Sequence, residues 1–215
     1  PVGGLKGEAL PLHPGHGETL AERRAEQSLA ASALAGHDTA GLAAHATATE
    51  FNAVQADKST VAFVYKQMGV PVEGRFRTFA AQLAFDPAAP QKASATLDID
   101  LASIDAGSAE ANDEVAGKKW FNTKAFPVAR FVADGLKPAG GDRYDLAGKL
   151  TLKGRTQPLA ATLSFRRDGA QGVFDGSLTI RRADFAIGEG EWADFGTVAN
   201  EVQVRFHIVA NAAKK

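Results

Sequence analysis

The sequence predicts an antiparallel all-β barrel or sandwich of about eight strands. Three observations carry that expectation. Apolar residues recur at every second position through most of the chain after Phe51. Gly69 with Pro71, Asp86-Pro87 and Asp168-Gly169 break this alternation at short intervals, as turns do. No helix alternates with the strands in the rhythm a parallel sheet needs, and there is no internal repeat.

The elements follow in order. Ser59, Val61, Phe63 and Tyr65 alternate with Thr60, Ala62, Val64 and Lys66. Val72 to Phe85 reads as one long strand region, with Gly74 a bulge or a site of close backbone approach and Phe79, Ala81, Leu83 and Phe85 on one face. Leu97, Ile99 and Leu101 alternate with Asp98 and Asp100, the pattern of a half-buried strand. Ser103 to Lys119 is polar and helix-compatible. Trp120 to Phe131 then holds four large aromatics in twelve residues, around Pro127. A proline lacks an amide N–H and suits the first residue of a strand, so this stretch reads as a crossover that lands on the sheet and plugs one end of its interior. Tyr144 to Leu152, Leu159 to Phe165, Val173 to Ile180 and Val202 to Ile208 complete the strands, with a hairpin at Asp168-Gly169.

Residues 1–50 have another texture, which divides the chain into 1–50 and 51–215. The first eighteen or so are rich in Gly, Pro and His and read as an arm. Thr19 and Glu22 have capping-box spacing and open an alanine-rich helix that Gly36 stops. Alanine buries little area, so this short helical extension is not expected to fold alone: it docks on the main domain, on a partner or on a second copy of the chain, or else it is partly disordered, with docking slightly favoured.

Bulk properties exclude several classes. The net charge of −1 offers no attraction to nucleic acid. The absence of cysteine excludes disulfides and thiolate chemistry. The start at Pro1 is read as the result of a removed signal peptide or a trimmed leader. No phosphate-cradling loop, nucleophile elbow or Cys/His pair is present, and Gly188-Glu-Gly-Glu191 is acidic, so no enzyme is expected.

Asp98 and Asp100 share a face opposite Leu97 and Ile99, which marks a solvated outer surface instead of a catalytic dyad. Arg182 and Asp184, two apart on an expected strand, are either a structural ion pair or a polar contact for a ligand head group. His13 and His16 have a spacing able to chelate a metal, but a tight site needs more ligands, and no metal is expected. His207 reads as structural.

From about Phe51 to the C-terminus, a set of short motifs in order resembles the YceI-like proteins. The motifs are Ser59 with Phe63; Gly74-Arg-Phe76 with Phe79; Phe85-Asp86; Ser103-Ile104; Phe121 with Phe126-Pro127 and Phe131; Gly148-Lys-Leu-Thr-Leu-Lys-Gly154 with Thr156; Arg182-Ala-Asp184-Phe185-Ala-Ile187-Gly188; and Glu201-Val202. The resemblance implies an extended lipocalin-like antiparallel β-barrel, mostly periplasmic or secreted, that binds polyisoprenoid-type lipids. Asn200 stands where the family commonly has aspartate, and Ala186 where glycine is frequent. Gln67 to Val72 and Gly188 to Trp192 are similar to a branch found beside or fused to b-type membrane cytochromes. That implies a ubiquinone-like quinone among the ligands and a cytochrome among the partners. Residues 1–50 have no counterpart.

The alternation alone leaves a filled core and a ligand-holding lumen equally open. With the resemblance, the expected ligand-binding residues are Phe63, Phe76 and Phe85, then Leu97 and Ile99, Phe126 and Phe131, Leu150 and Leu152, Phe174 and Leu178, and Phe206, with Val204 on the same face. No covalent cofactor is expected, only a bound isoprenoid lipid or quinone.

Overall fold

The eleven strand segments of residues 49–213, the part of the chain that the computed structural model describes, pair antiparallel throughout. They are β1 (Phe51–Val54), β2 (Thr60–Gln67), β3 (Val70–Phe76), β4 (Phe79–Ala84), β5 (Ser94–Asp100), β6 (Ile104–Asp105), β7 (Val128–Gly140), β8 (Arg143–Leu152), β9 (Arg155–Asp168), β10 (Gln171–Arg181) and β11 (Glu201–Ala212). One helix, α1 (Ala109–Ala116), lies between β6 and β7. The arm, the helix expected from Thr19 and the His13–His16 pair fall outside the described residues.

Six of the segments are three strands, each broken once. β1 and β2 both pair with β11 and are separated by a 3-10 turn at Ala56–Lys58. Ser59 stitches that break, donating to the Gln55 carbonyl at 2.6 Å and accepting the Val209 amide at 3.0 Å. β3 and β4 pair with β6 and β5 in turn, and the break at Arg77–Thr78 faces the turn at Leu101–Ser103. Backbone bonds Arg77 to Ser103 and Asp100 to Thr78, each 3.1 Å, hold the two breaks together. Counted as continuous runs there are eight strands. The run Val72–Phe85, expected as one strand, is therefore two segments. Leu101 leaves β5 for the turn yet stays 1% exposed.

The sheet curls on itself. β2 pairs with β3 over Val61↔Phe76 to Gln67↔Val70. At the other end, Phe51 and Phe85 exchange both backbone bonds, at 2.8 and 3.1 Å. Phe51, Phe85, Phe165, Phe174 and Tyr144 pack this end as an aromatic cluster with ring centroids 4.8–5.6 Å apart.

The opposite end is covered by α1 and the segment after it. Ser108 caps α1 by accepting the Ala111 amide at 3.1 Å, and Gly117 ends it. The helix is eight residues, shorter than the polar run suggested, because Asp105 and Ile104 belong to β6. Ala111 and Val115 rest on Phe63, Ile104 and Ala106. Trp120 is buried and Pro127 immediately precedes β7, as the crossover reading requires.

Gly74 lies directly across from Phe63, whose ring occupies the place a side chain would take. A Cβ there would also meet the Asp105 carbonyl oxygen at 2.6 Å, and that oxygen is backbone. Gly74→Ala is expected to destabilise by about 2–3 kcal/mol through overpacking. Urea unfolding measures it, and a change under about 0.5 kcal/mol would contradict the close approach.

Candidate functional site

The barrel encloses a cavity of about 640 Å³ whose wall is overwhelmingly apolar. It is built from the inner faces of the strands. Val61, Phe63 and Tyr65 come from β2, Leu97 and Ile99 from β5, Leu150 and Leu152 from β8, and Phe174 and Leu178 from β10. Phe76, Phe131, Val204 and Phe206 complete the ring.

The interior is hollow for a specific reason. Phe63, Phe131 and Phe206 point inward, yet their rings lie over Gly74, Gly148 and Gly176 on neighbouring strands. In each case ring atoms stand where a Cβ would be, so the phenyl group hugs the wall and leaves the middle free. Phe131 and Leu178 touch the buried clusters at both ends and so mark the waist.

Ten of the twelve expected ligand-binding residues line this cavity; Phe85 and Phe126 do not. Phe85 is fully buried behind Phe174 in the aromatic cluster. Phe126 packs against the turn between β8 and β9, over Gly154. The wall also includes Leu159, Leu163, Ile180, Trp120 and the Ala111–Val115 face of α1. The first three sit in phase on expected strands. The α1 face gave no signal, because one alanine and one valine make a thin stripe.

Polar groups gather at the α1 end. Gln67, Ser108, Glu110 and Glu114 are exposed and line the cavity there. A second exposed pair, Gln82 and Ser94, lies on β4 and β5. The Trp192 indole N–H donates to Glu114 at 2.7 Å and ties α1 to the turn Gly190–Ala193. Burial pushes the Tyr65 phenol up from its ordinary value, and its hydroxyl donates to the Ala106 carbonyl at 3.2 Å. The Trp120 indole N–H is buried without a partner among the described residues.

Arg182 corrects the sequence reading. It lies in a 3-10 turn, Arg182–Phe185, not on a strand, and Asp184 pairs with Arg181 at 3.1 Å instead. Arg182 is 2% exposed. Nε donates to the Ala199 carbonyl at 3.1 Å. Nη1 donates to Ile187 and Gly188 at 2.9 and 3.1 Å. Nη2 donates to Trp192 and Val198, both at 2.7 Å. All five guanidinium hydrogens thus meet backbone carbonyls, leaving none for a ligand. Burial lowers its pKa from the ordinary value, but an arginine starts so high that it stays charged. The rings of Trp120 and Phe195 lie 5.6 and 5.1 Å from its charge.

The remaining polar candidates are structural in geometry. Asp98 pairs with Arg130 across the outer face at 2.6 and 2.8 Å, and that contact holds its carboxyl below the usual range. Asp100 caps the Ala102 amide at 3.0 Å. His207 faces Asp175 on the adjacent strand at 2.5 Å. Ser103 bonds the backbone of Thr78 and Asp100. Among the described residues no group of three or more His, Cys, Asp or Glu is placed to hold a metal ion.

Residues 53–210, almost the whole barrel, match the model of the YceI-like domain. The chain belongs to the YceI-like family. The crystal structure of Burkholderia cenocepacia BcnA is similar, with 47% identity, a TM-score of 0.72 and coverage of 74% of this chain and 99% of that one. A structure described as a polyisoprenoid-binding domain from Saccharophagus degradans, implicated in plant cell wall breakdown, shares the fold at 20% identity with a TM-score of 0.61. It covers 76% of this chain and 99% of that one. A UPF0312 protein of Azotobacter vinelandii is 28% identical over 137 residues, spanning 61% of this chain and 69% of the relative. The strands that enclose the cavity of this YceI-like barrel lie within the residues matched by the family model.

Proposed function

We propose that this YceI-like protein is a non-enzymatic lipid carrier that holds an isoprenoid chain inside the barrel. The observation that carries the reading is the continuous apolar cavity, about 640 Å³, running past the Phe131–Leu178 waist. That volume falls within the range of small-molecule pockets, roughly 300–1,000 Å³. Each CH₂ taken from water contributes about 0.8 kcal/mol, so a branched hydrocarbon chain binds tightly without directional contacts. The Saccharophagus degradans neighbour, described as polyisoprenoid-binding, supports the class of ligand.

In this reading the head group sits at the α1 end, near Gln67, Glu110 and Glu114, and the tail reaches toward Phe174. A polyprenyl lipid or a ubiquinone-like quinone meets these requirements, the periplasm is the compartment, and a b-type membrane cytochrome is the partner that a quinone cargo implies. The alternative of a solid interaction module, self-associating or docking through its N-terminal helix, has the hollow interior against it.

Native mass spectrometry and lipid extraction of protein purified from its own host test the proposal. A bound prenyl species is expected, along with saturable binding of a long-chain quinone or a polyprenol. Empty protein that binds neither on titration would overturn it.

A further inference from the structure

Three exposed apolar side chains stand at the α1 end of the barrel. Met68 is 78% exposed, Val70 63% and Phe195 49%. Two turns that are stitched together present them. The Met68 amide donates to the Thr197 carbonyl at 2.9 Å, the Ala199 amide to Lys66 at 2.9 Å, and Gln67 bridges Val198. Asp194 tightens the second turn by accepting from the Gly196 amide at 2.9 Å and from the Thr197 hydroxyl at 3.3 Å. One face of the Phe195 ring rests over the buried Arg182 guanidinium, and the rest of the side chain is open to solvent.

The first turn uses an unusual residue. Met68 and Gly69 sit at φ +49 and +81. A tight hairpin turn of this kind favours Asn, Asp or Gly at both central positions. A methionine there accepts backbone strain and still shows its thioether chain to solvent, which neither folding nor solubility requires.

The patch is continuous with the cavity. Gln67 and Val198, which join the two turns, both line it. Val70 shares the inner face of β3 with Val72 and Phe76 and stands at its far end. The other large exposed apolar residues among those described, Val128 and Val132, flank Arg130 on the outer face of β7.

We propose that Met68, Val70 and Phe195 are a membrane-contacting rim, which enters the surface of a lipid bilayer and lets an apolar chain pass between bilayer and cavity. The proposal rests on the lipid-carrier reading and adds the surface through which loading occurs. A hydrocarbon chain that crosses water exposes its whole length, whereas a rim sunk in the interface joins two apolar phases. A second copy of the chain fits less well. These three side chains are each partly covered already, so together they offer less than half of the ~800 Å² per partner that a stable interface buries. The neighbouring charges, Lys66, Lys119, Glu191 and Asp194, are of both signs, so contact is apolar and not an attraction to anionic lipid.

Flotation of the full chain with phosphatidylcholine vesicles, and geranylgeraniol transfer between such vesicles, test the rim. The variants are Met68→Ser with Val70→Thr and, separately, Phe195→Ser. Transfer is expected to slow tenfold or more in the double variant, with flotation reduced in parallel and insensitive to salt. Equilibrium binding of geranylgeraniol in detergent solution should stay within twofold of the parent. Unchanged transfer and flotation would overturn the proposal. So would flotation that needs anionic lipid and vanishes in salt, or a loss of self-association in the variants by light scattering. Flotation with cargo-free vesicles reads the rim alone. Absent geranylgeraniol binding in detergent with normal flotation would therefore sink the carrier reading and spare the rim.

Discussion

Arg182→Met is expected to lower the stability of the barrel by about 4 kcal/mol or more. The guanidinium satisfies five carbonyls drawn from Ile187, Gly188, Trp192, Val198 and Ala199. A buried acceptor left without a donor costs about 1–3 kcal/mol, and water entry relieves only some of the five. Loss of the charge also removes what Trp120 and Phe195 pack against. The methionine saves the desolvation of a cation, which keeps the total below the simple sum. For a domain of this size the melting temperature should fall by roughly 10 °C. Arg182→Lys should rescue little, since three rotating donors on a point charge cannot span a planar cage of five oxygens. Urea and thermal unfolding measure both. A loss under 1 kcal/mol in the methionine variant would mean that this loop region carries itself.

Leu178→Trp should weaken long-chain binding by about a hundredfold or more while the barrel stays folded. Leu178 is only partly buried because its side chain borders the hollow waist, so an indole has room to turn into the lumen. Denying a chain even four carbons beyond the waist costs about 3 kcal/mol at ~0.8 kcal/mol per CH₂, about a hundredfold in Kd. Titration should show that loss for a polyprenol or long-chain quinone and little change for a ten-carbon prenyl alcohol. Equal weakening of both would place the binding elsewhere, and unchanged long-chain binding would remove the waist from the path.

Much of this barrel was legible because half-buried strands repeat every two residues. The breaks were legible too, in a form that a single-strand reading overlooks. The inner face of β3 falls on even positions, Gly74 and Phe76, and that of β4 on odd ones, Phe79, Ala81 and Leu83. That change of phase requires the bulge at Arg77–Thr78. Arg182 continues the inner face of β10 after Leu178 and Ile180, so a charge falling in phase with the core foretold a buried guanidinium. Its carbonyl partners did not show, since backbone acceptors leave no mark on residue identity.

The hollow centre was not legible in the alternation of residues, and the expectation of a lumen came only from the family resemblance. Phe206 and Gly176 are thirty positions apart, and only the register between β10 and β11 reveals that one ring lies on the other residue. Phe126 and Phe174 look alike in the sequence, yet one lines the lumen and the other backs a turn.

The phenyl-on-glycine arrangement has a consequence for cargo size. The calibre of the channel is set by absent methyl groups on its lining, not by how bulky its aromatics are. Any relative that carries alanine or serine at the positions of Gly148 or Gly176 must swing a ring toward the axis, and so should accommodate a slimmer or shorter passenger in an otherwise unaltered shell.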